Sequence, residues 1–178
     1  MAKKKAVSRK QSIPFDKDGK ALNVVIETPR GSRNKFKYDE NVKAFTLKSV
    51  LPAGTSFPYD FGFIPDTRGK DGDPLDILVL SEFHSFPGCM MKCRLLGGIK
   101  ARQGHDSKDM IRNDRYIAIP RESKSYNDIA HIDHLPAPMI RSLEDFFINY
   151  NKEEGKLFKP LGYVSSGKAW KQINACRL

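Results

Sequence analysis

From Leu22 to Ile119 the chain consists of short β-branched and aromatic runs, each stopped by Gly, Pro or Asp, and helical spacing appears only afterwards. Leu22-Asn-Val-Val-Ile-Glu27 reads as a strand ended by Thr-Pro-Arg-Gly. Phe36 to Leu51 is a second strand region, broken at Asn41 and closed by Pro52-Ala-Gly54. Further strands are expected over Ser56–Ile64, Leu75–Leu80, Cys89–Ile99 and Arg115–Ile119. Ile140, Leu143, Phe147 and Tyr150 then follow the 3.6-residue repeat behind Pro138. Ser166 to Ala175 reads as a short helix capped by Ser166. Many short strands followed by helices predict an α+β, mainly β chain: an antiparallel barrel or sandwich with helices packed outside.

Length and composition narrow the function classes. With 178 residues, the chain fits a single domain, 13–178, behind a basic arm, 1–12. Hydrophobic residues at 39% and charged residues at 29% exclude a disordered chain. Apolar runs such as Ile77-Leu-Val-Leu80 fall far short of the ~20 residues of a spanning helix, and no signal segment follows the basic start. A soluble, cytoplasmic protein with no membrane partner is expected. The net charge of +10 sits at the ends, since residues 1–10 carry five cations and no acid. Such a run is more often a solvated tail than a polyanion-binding arm, so nucleic acid is not the expected partner. Cys89 and Cys93 lie four residues apart on one strand, ~13 Å, beyond disulfide reach, and no zinc spacing follows. Reduced thiols are expected.

Asp71-Gly72-Asp73-Pro74-Leu75-Asp76 is the segment richest in chemistry. Three carboxylates in six residues repel one another unless cations neutralise them. Gly72 and Pro74 shape a bend able to turn them toward one locus, anchored by the apolar run behind. Carboxylates without His or Cys suit a hard ion, Mg²⁺ or Mn²⁺. Leu75 at a ligand position excludes an EF-hand. Taken alone, the triplet reads equally well as an Asp-rich surface turn. Lys35, Lys37, Lys48, Arg112 and Arg115, with Tyr150 on the late helix, shift the balance. Metal-binding carboxylates beside cations for phosphate oxygens are the parts of metal-assisted phosphoryl transfer.

Between Asn23 and Tyr150 the sequence resembles the family I soluble inorganic pyrophosphatases. The resemblance rests on Val25-Ile-Glu27, Gly31-Ser-Arg-Asn-Lys35, Phe57-Pro-Tyr-Asp-Phe-Gly-Phe63, the Asp71–Asp76 signature, the Gly88–Gly98 strand and Phe146-Phe-Ile-Asn-Tyr150. It implies a distorted five-stranded barrel of the oligonucleotide-binding type with flanking helices. It also implies Mg²⁺-dependent hydrolysis of pyrophosphate to two phosphates and a homo-oligomer, hexamer or dimer. By position, Asp71 and Asp76 resemble metal ligands, and Asp73 the residue that binds metal and takes the proton of the attacking, metal-activated water. Lys35, Lys48, Arg115 and Tyr150 fall where the family holds phosphate oxygens, and Glu27 where it organises water.

Some positions depart from the family pattern. Lys37 replaces the usual Glu, Lys48 an Arg, and Phe57 and Phe61 two Tyr residues. Gln103 and Asn113 stand where two further Asp ligands are expected, Arg115 replaces a Lys, and Asn151 replaces a Lys. Asp106, Asp109 or Asp114 could serve instead if the loop shifts register. The site is then more positive than the pattern, which predicts fewer Mg²⁺ ions. It also keeps open an alternative: a catalytically weakened homologue that binds or hydrolyses another phosphate compound. His131-Ile-Asp-His134 is expected to serve a surface or capping role, and Trp170 the core or a subunit contact.

Overall fold

The four apolar residues Ile77 to Leu80 point alternately into two different cores, and the fold is built around that division. The structure is a computed structural model that describes residues 14–15 and 21–178; the basic arm lies outside the described residues. Strands β1 (Leu22–Thr28), β4 (Asp60–Ile64), β5 (Leu75–Val79), β8 (Arg115–Pro120) and β6 (Met90–Gly104) pair in that order, and β6 pairs back to β1. They close a ring of five strands, antiparallel except for β5 beside β8. β2 (Asn34–Asp39) and β3 (Ala44–Val50) form a separate hairpin. Two further strands pair with β6: the two-residue β7 (Ile111–Arg112) and the nine-residue β9 (Leu157–Ser165). A 3-10 turn (Ile132–His134) and helices α1 (Ala137–Glu153) and α2 (Ser166–Ala175) complete the order. This mainly β arrangement is the fold class that the strand-then-helix pattern predicts.

Period-two alternation sorts the ring strands between the cores. Ile77, Val79, Tyr116 and Ala118 join Val24, Ile26 and Ile64 in a core that takes Ala169 and Ile173 of α2. Leu78, Leu80, Ile117 and Ile119 join Phe57 and Phe61 in a second core that takes Ile140, Leu143, Phe147 and Tyr150 of α1. Strands buried on both faces read as continuous apolar runs. Each such buried side chain contributes roughly 1.5–3 kcal/mol. Where β6 crosses β9, Gly97 adopts φ +149°, and a Cβ there would stand 2.4 Å from the Val164 carbonyl oxygen. Gly97→Ala would force these strands apart.

Several boundaries differ from those expected. The region Phe36–Leu51 is the β2–β3 hairpin, turned where the Asp39 carboxylate accepts the Asn41 N–H at 2.8 Å. β9 carries no clear strand signal, because Pro160 and Gly162 interrupt it. The cap of α2 is Ser165, not Ser166. β9 runs directly into the helix, which leaves extended Ser165 at the junction, and the Ser166 hydroxyl lies 3.3 Å from His131 Nδ1. His131 and His134 are exposed, and Trp170 is half-buried against Phe15. All three cysteines are free.

Candidate active site

One cavity of about 830 Å³ gathers side chains from β1, the hairpin, the β4–β5 loop, β5, β6, β8 and α1. Glu27, Lys35, Lys37, Lys48, Asp71, Asp73, Asp76, Gln103, Asn113, Arg115 and Tyr150 all line it. Of the charged residues singled out for the site from sequence, Asp106, Arg112 and Asp114 do not. Asn113 and Arg115 share one side of the extended chain, and Asp114 takes the other. Its carboxylate is bound by the Arg112 guanidinium and accepts the Ala101 N–H at 3.0 Å. Asp109 stands at the cavity edge, occupied by the N–H groups of His105 and Asp106 at 3.0 and 2.9 Å. Neither replaces Asn113 or Gln103.

The acidic floor comes from the β4–β5 loop and β5. Gly72, at φ +87°, makes the bend that lets the Asp73 N–H donate to Asp71 Oδ1 at 3.2 Å. Asp76 opens β5 and meets the Arg115 guanidinium at 2.7 Å. Arg115 is only 4% exposed; it lies over the rings of Phe147 and Phe158 and donates to Gln103 Oε1 at 2.8 Å and to Asn113 Oδ1. The Asn113 amide in turn donates to Asp71 Oδ2 at 2.8 Å. Gln103 and Asn113 thus fasten Arg115 and Asp71 beneath the cavity. Burial, then the Asp76 charge nearby, pushes the Asp71 carboxyl above its ordinary value.

The cationic wall comes from the hairpin. Alternation along β2 puts Lys35 and Lys37 on one face. Lys48 owes its place to a bulge: Lys35 pairs with Ser49 and Phe36 with Leu47, so Lys48 is the extra residue between. Lys35 donates to the Tyr150 hydroxyl and lies 4.6 Å from that ring's centroid and 5.7 Å from that of Phe61. Burial, with Lys48 beside it, lowers the Lys35 ammonium to about 8. Lys37 pairs with Asp73 Oδ2 at 2.8 Å; burial opposes its charge, but that bond and the charges of Asp73, Glu27 and Asp76 together raise its pKa. Glu27 is 8% exposed and accepts the Tyr38 N–H at 2.8 Å; burial lifts its carboxyl to about 7 against the pull of that bond.

Phe57 and Phe61 are buried and form an apolar wall with buried Phe147 and Tyr150 and half-buried Phe146. Asn151, also buried, donates to the Phe147 carbonyl at 2.8 Å and serves the end of α1. Sequence reading missed Ser49 and Glu154, which hydrogen-bond at 2.9 Å between β3 and α1. The one available signal for Glu154 was its place a turn beyond Tyr150.

Among the described residues, no three His, Cys, Asp or Glu side chains form a protein-only cation cage. The donor set nevertheless fits a hard divalent ion. Asp71 and Asp76 are close enough for one to raise the other's pKa, and an ion between them would relieve that repulsion. Mg²⁺ is commonly held by one or two carboxylates plus water and substrate phosphate rather than by a full protein cage.

Comparison with known proteins places this geometry in context. The family model described as inorganic pyrophosphatase matches residues 24–178. The inorganic pyrophosphatase of Thermus thermophilus is 35% identical over 172 residues, 93% of this chain and 94% of that protein. That of Synechocystis sp. is 33% identical over 163 residues, 92% of this chain and 89% of that protein. The crystal structure of the Thermus thermophilus enzyme superposes with a TM-score of 0.83 at 34% identity, over 93% of this chain and 95% of the other.

Proposed function

The chain belongs to the inorganic pyrophosphatase family and hydrolyses pyrophosphate, and we propose that it does so with Mg²⁺ in the cavity between the Asp71–Asp76 floor and the hairpin lysines. One observation carries this reading. Paired carboxylates able to hold a divalent ion face phosphate-binding ammonium groups across one cavity, as transfer of a phosphoryl group between oxygens requires. Asp71 and Asp76 would hold the Mg²⁺, with Mn²⁺ as a substitute. When bound, the ion supplies charge for the phosphate oxygens and makes a coordinated water a better nucleophile.

The chain's own residues divide the remaining work. Lys35 and Lys48 bind and orient the pyrophosphate oxygens, and buried Arg115 adds positive potential from beneath. The Lys37–Asp73 pair is half-exposed, so its strength in water is small. An arriving polyanion draws Lys37 onto its oxygens and leaves the Asp73 carboxylate free to accept the proton of the attacking water. The water oxygen joins one phosphorus as the bridging P–O bond breaks, giving two phosphates. Glu27, which exchanges its proton near neutrality, orders water at the edge of this path.

The homo-oligomer, hexamer or dimer, is supported by the exposed rings of Phe83 and Phe86, and the cytoplasmic location by the three free thiols. No helix of the described residues is long and apolar enough to cross a membrane. The deciding experiment is phosphate release from pyrophosphate with Mg²⁺ at neutral pH, set against a chelator control. Rapid, chelator-sensitive release is expected. No release from folded, Mg²⁺-loaded protein would overturn the reading in favour of a homologue acting on another phosphate compound.

A further inference from the structure

Glu154 follows Tyr150 by one helical turn at the end of α1, and its carboxylate is the point where the helix meets the hairpin. The Ser49 hydroxyl donates to Glu154 Oε1 at 2.9 Å, and Tyr150 stands four residues earlier on the same helix, where the Glu154 charge adds to burial in raising its phenol. Lys35 donates to the Tyr150 oxygen, and Lys35 and Ser49 are cross-strand partners in the hairpin. The contacts join the hairpin to α1 twice, through Lys35 to Tyr150 and through Ser49 to Glu154 one turn later. We propose that Glu154 is a positioning residue for pyrophosphate binding: through Ser49, beside the Lys35–Tyr150 contact, it docks the hairpin on α1 and aims Lys35 at the phosphate oxygens. The proposal deepens the hydrolytic reading above and rests on it.

Proton counting supports this role. An ammonium only donates, so the Tyr150 oxygen receives Lys35 with a lone pair. Tyr150 is then committed to holding Lys35, and the remaining Lys35 N–H groups are the ones available to phosphate. This modifies the expectation from resemblance, in which Tyr150 itself holds a phosphate oxygen.

The hairpin needs such a tether. It is a two-stranded sheet of its own, and two strands alone are marginally stable in water. On one side it is fixed to β1: the Phe36 N–H donates to Thr28 Oγ1 at 3.1 Å and the Tyr38 N–H to Glu27. At its other end, next to bulged Lys48, Ser49 joins it to Glu154. Without that second attachment the hairpin can pivot about β1, and Lys35 and Lys48 lose their common aim.

The test measures kcat and KM for pyrophosphate, and the Kd of imidodiphosphate with Mg²⁺, in wild type, Glu154→Ala, Glu154→Gln, Tyr150→Phe and the Glu154→Ala/Tyr150→Phe double variant. Glu154→Ala is expected to raise KM and Kd about tenfold with a smaller change in kcat, and Glu154→Gln to recover part of the loss by keeping the Ser49 bond. Because Glu154 and Tyr150 hold the same hairpin and the same Lys35, their effects in the double variant should be less than additive. The alkaline limit of binding should also move to lower pH in both Glu154 variants, since Lys35 loses a neighbouring negative charge. Unchanged KM and Kd in Glu154→Ala, or fully additive effects in the double variant, would overturn the proposal. If Glu154→Ala does not fold, Glu154→Gln and Ser49→Ala decide: weaker imidodiphosphate binding supports the tether, and unchanged binding overturns it. Absence of wild-type turnover would refute the hydrolytic reading alone, because the Kd series still reports on the tether.

Discussion

Arg115, on the ring side of the cavity, has 5% of its side chain exposed and is locked to Asp76, Gln103 and Asn113, whereas Lys37 on the hairpin keeps 39% of its side chain in solvent and has Asp73 as its partner. The two cations face one cavity under different rules. A buried guanidinium cannot leave its carboxylate without stranding a charge, so Arg115 and Asp76 act as fixed architecture. A half-exposed ammonium exchanges partners at little cost, so Lys37 is free to respond to an arriving anion. The ring side therefore supplies a floor fixed at Asp76 and Arg115, and the hairpin supplies cations that adapt.

Breaking the floor has the largest expected effect. Arg115→Ala leaves Asp76 unpaired and removes the group resting on Phe147 and Phe158, so a loss of about 3–5 kcal/mol in unfolding free energy is expected by urea denaturation. A loss below about 1 kcal/mol would mean that the pair is effectively solvated and the contrast with the hairpin is wrong. Next comes Asp73→Asn, where the two regions meet. Its side chain is 57% exposed, so stability should hold, while kcat falls by about 10²-fold or more if the carboxylate accepts the proton. Steady-state turnover beside a urea midpoint separates the two effects, and unchanged kcat would remove Asp73 from the proton path.

The same contrast governs what could be read from sequence. The ring strands were legible because both faces are buried and their apolar runs stand out; β9 was not, because Pro160 and Gly162 break its pattern and its pairing with β6 supplies the order. The Asp71–Asp76 floor was legible because its spacing lies within one bend. Alternation along residues 113–115 also contained the separation of Asp114 from Asn113 and Arg115, once that stretch was read as extended. Ser49 and Glu154 lie 105 residues apart, and their meeting depends on where a bulged hairpin docks on a helix end. No local pattern encodes that. Phe57 and Phe61 looked like lost hydroxyls in sequence, and in the fold they are the apolar wall that supports Lys35 and Tyr150.

Loosening the hairpin should act on binding more than on folding. Lys37→Ala removes a half-exposed pair, so unfolding free energy should change by only about 0.2–1 kcal/mol. KM for pyrophosphate should rise several-fold, and more so at low ionic strength, where the lost attraction is least screened. Comparing KM at two salt concentrations checks this. A stability loss as large as that of Arg115→Ala would show the hairpin to be as rigid as the floor.

A pH-dependent effect concerns the hinge between the two regions, where Glu27 of β1 holds the Tyr38 N–H of β2. Burial raises its carboxyl to about 7 in the folded chain, above the ordinary value of 4.5 that applies when unfolded. Between these values the folded state holds a proton that the unfolded state has released. Stability from this group is therefore fully present below about 4.5 and is lost as pH rises toward 7. Glu27→Gln keeps an oxygen for the Tyr38 N–H and removes the titration. It should leave stability near pH 5 almost unchanged, raise it above pH 7, and flatten the slope between, as read from urea midpoints across that range. A variant whose slope matched wild type would place the charge of Glu27 in water and make β1 as open to solvent as the hairpin it holds.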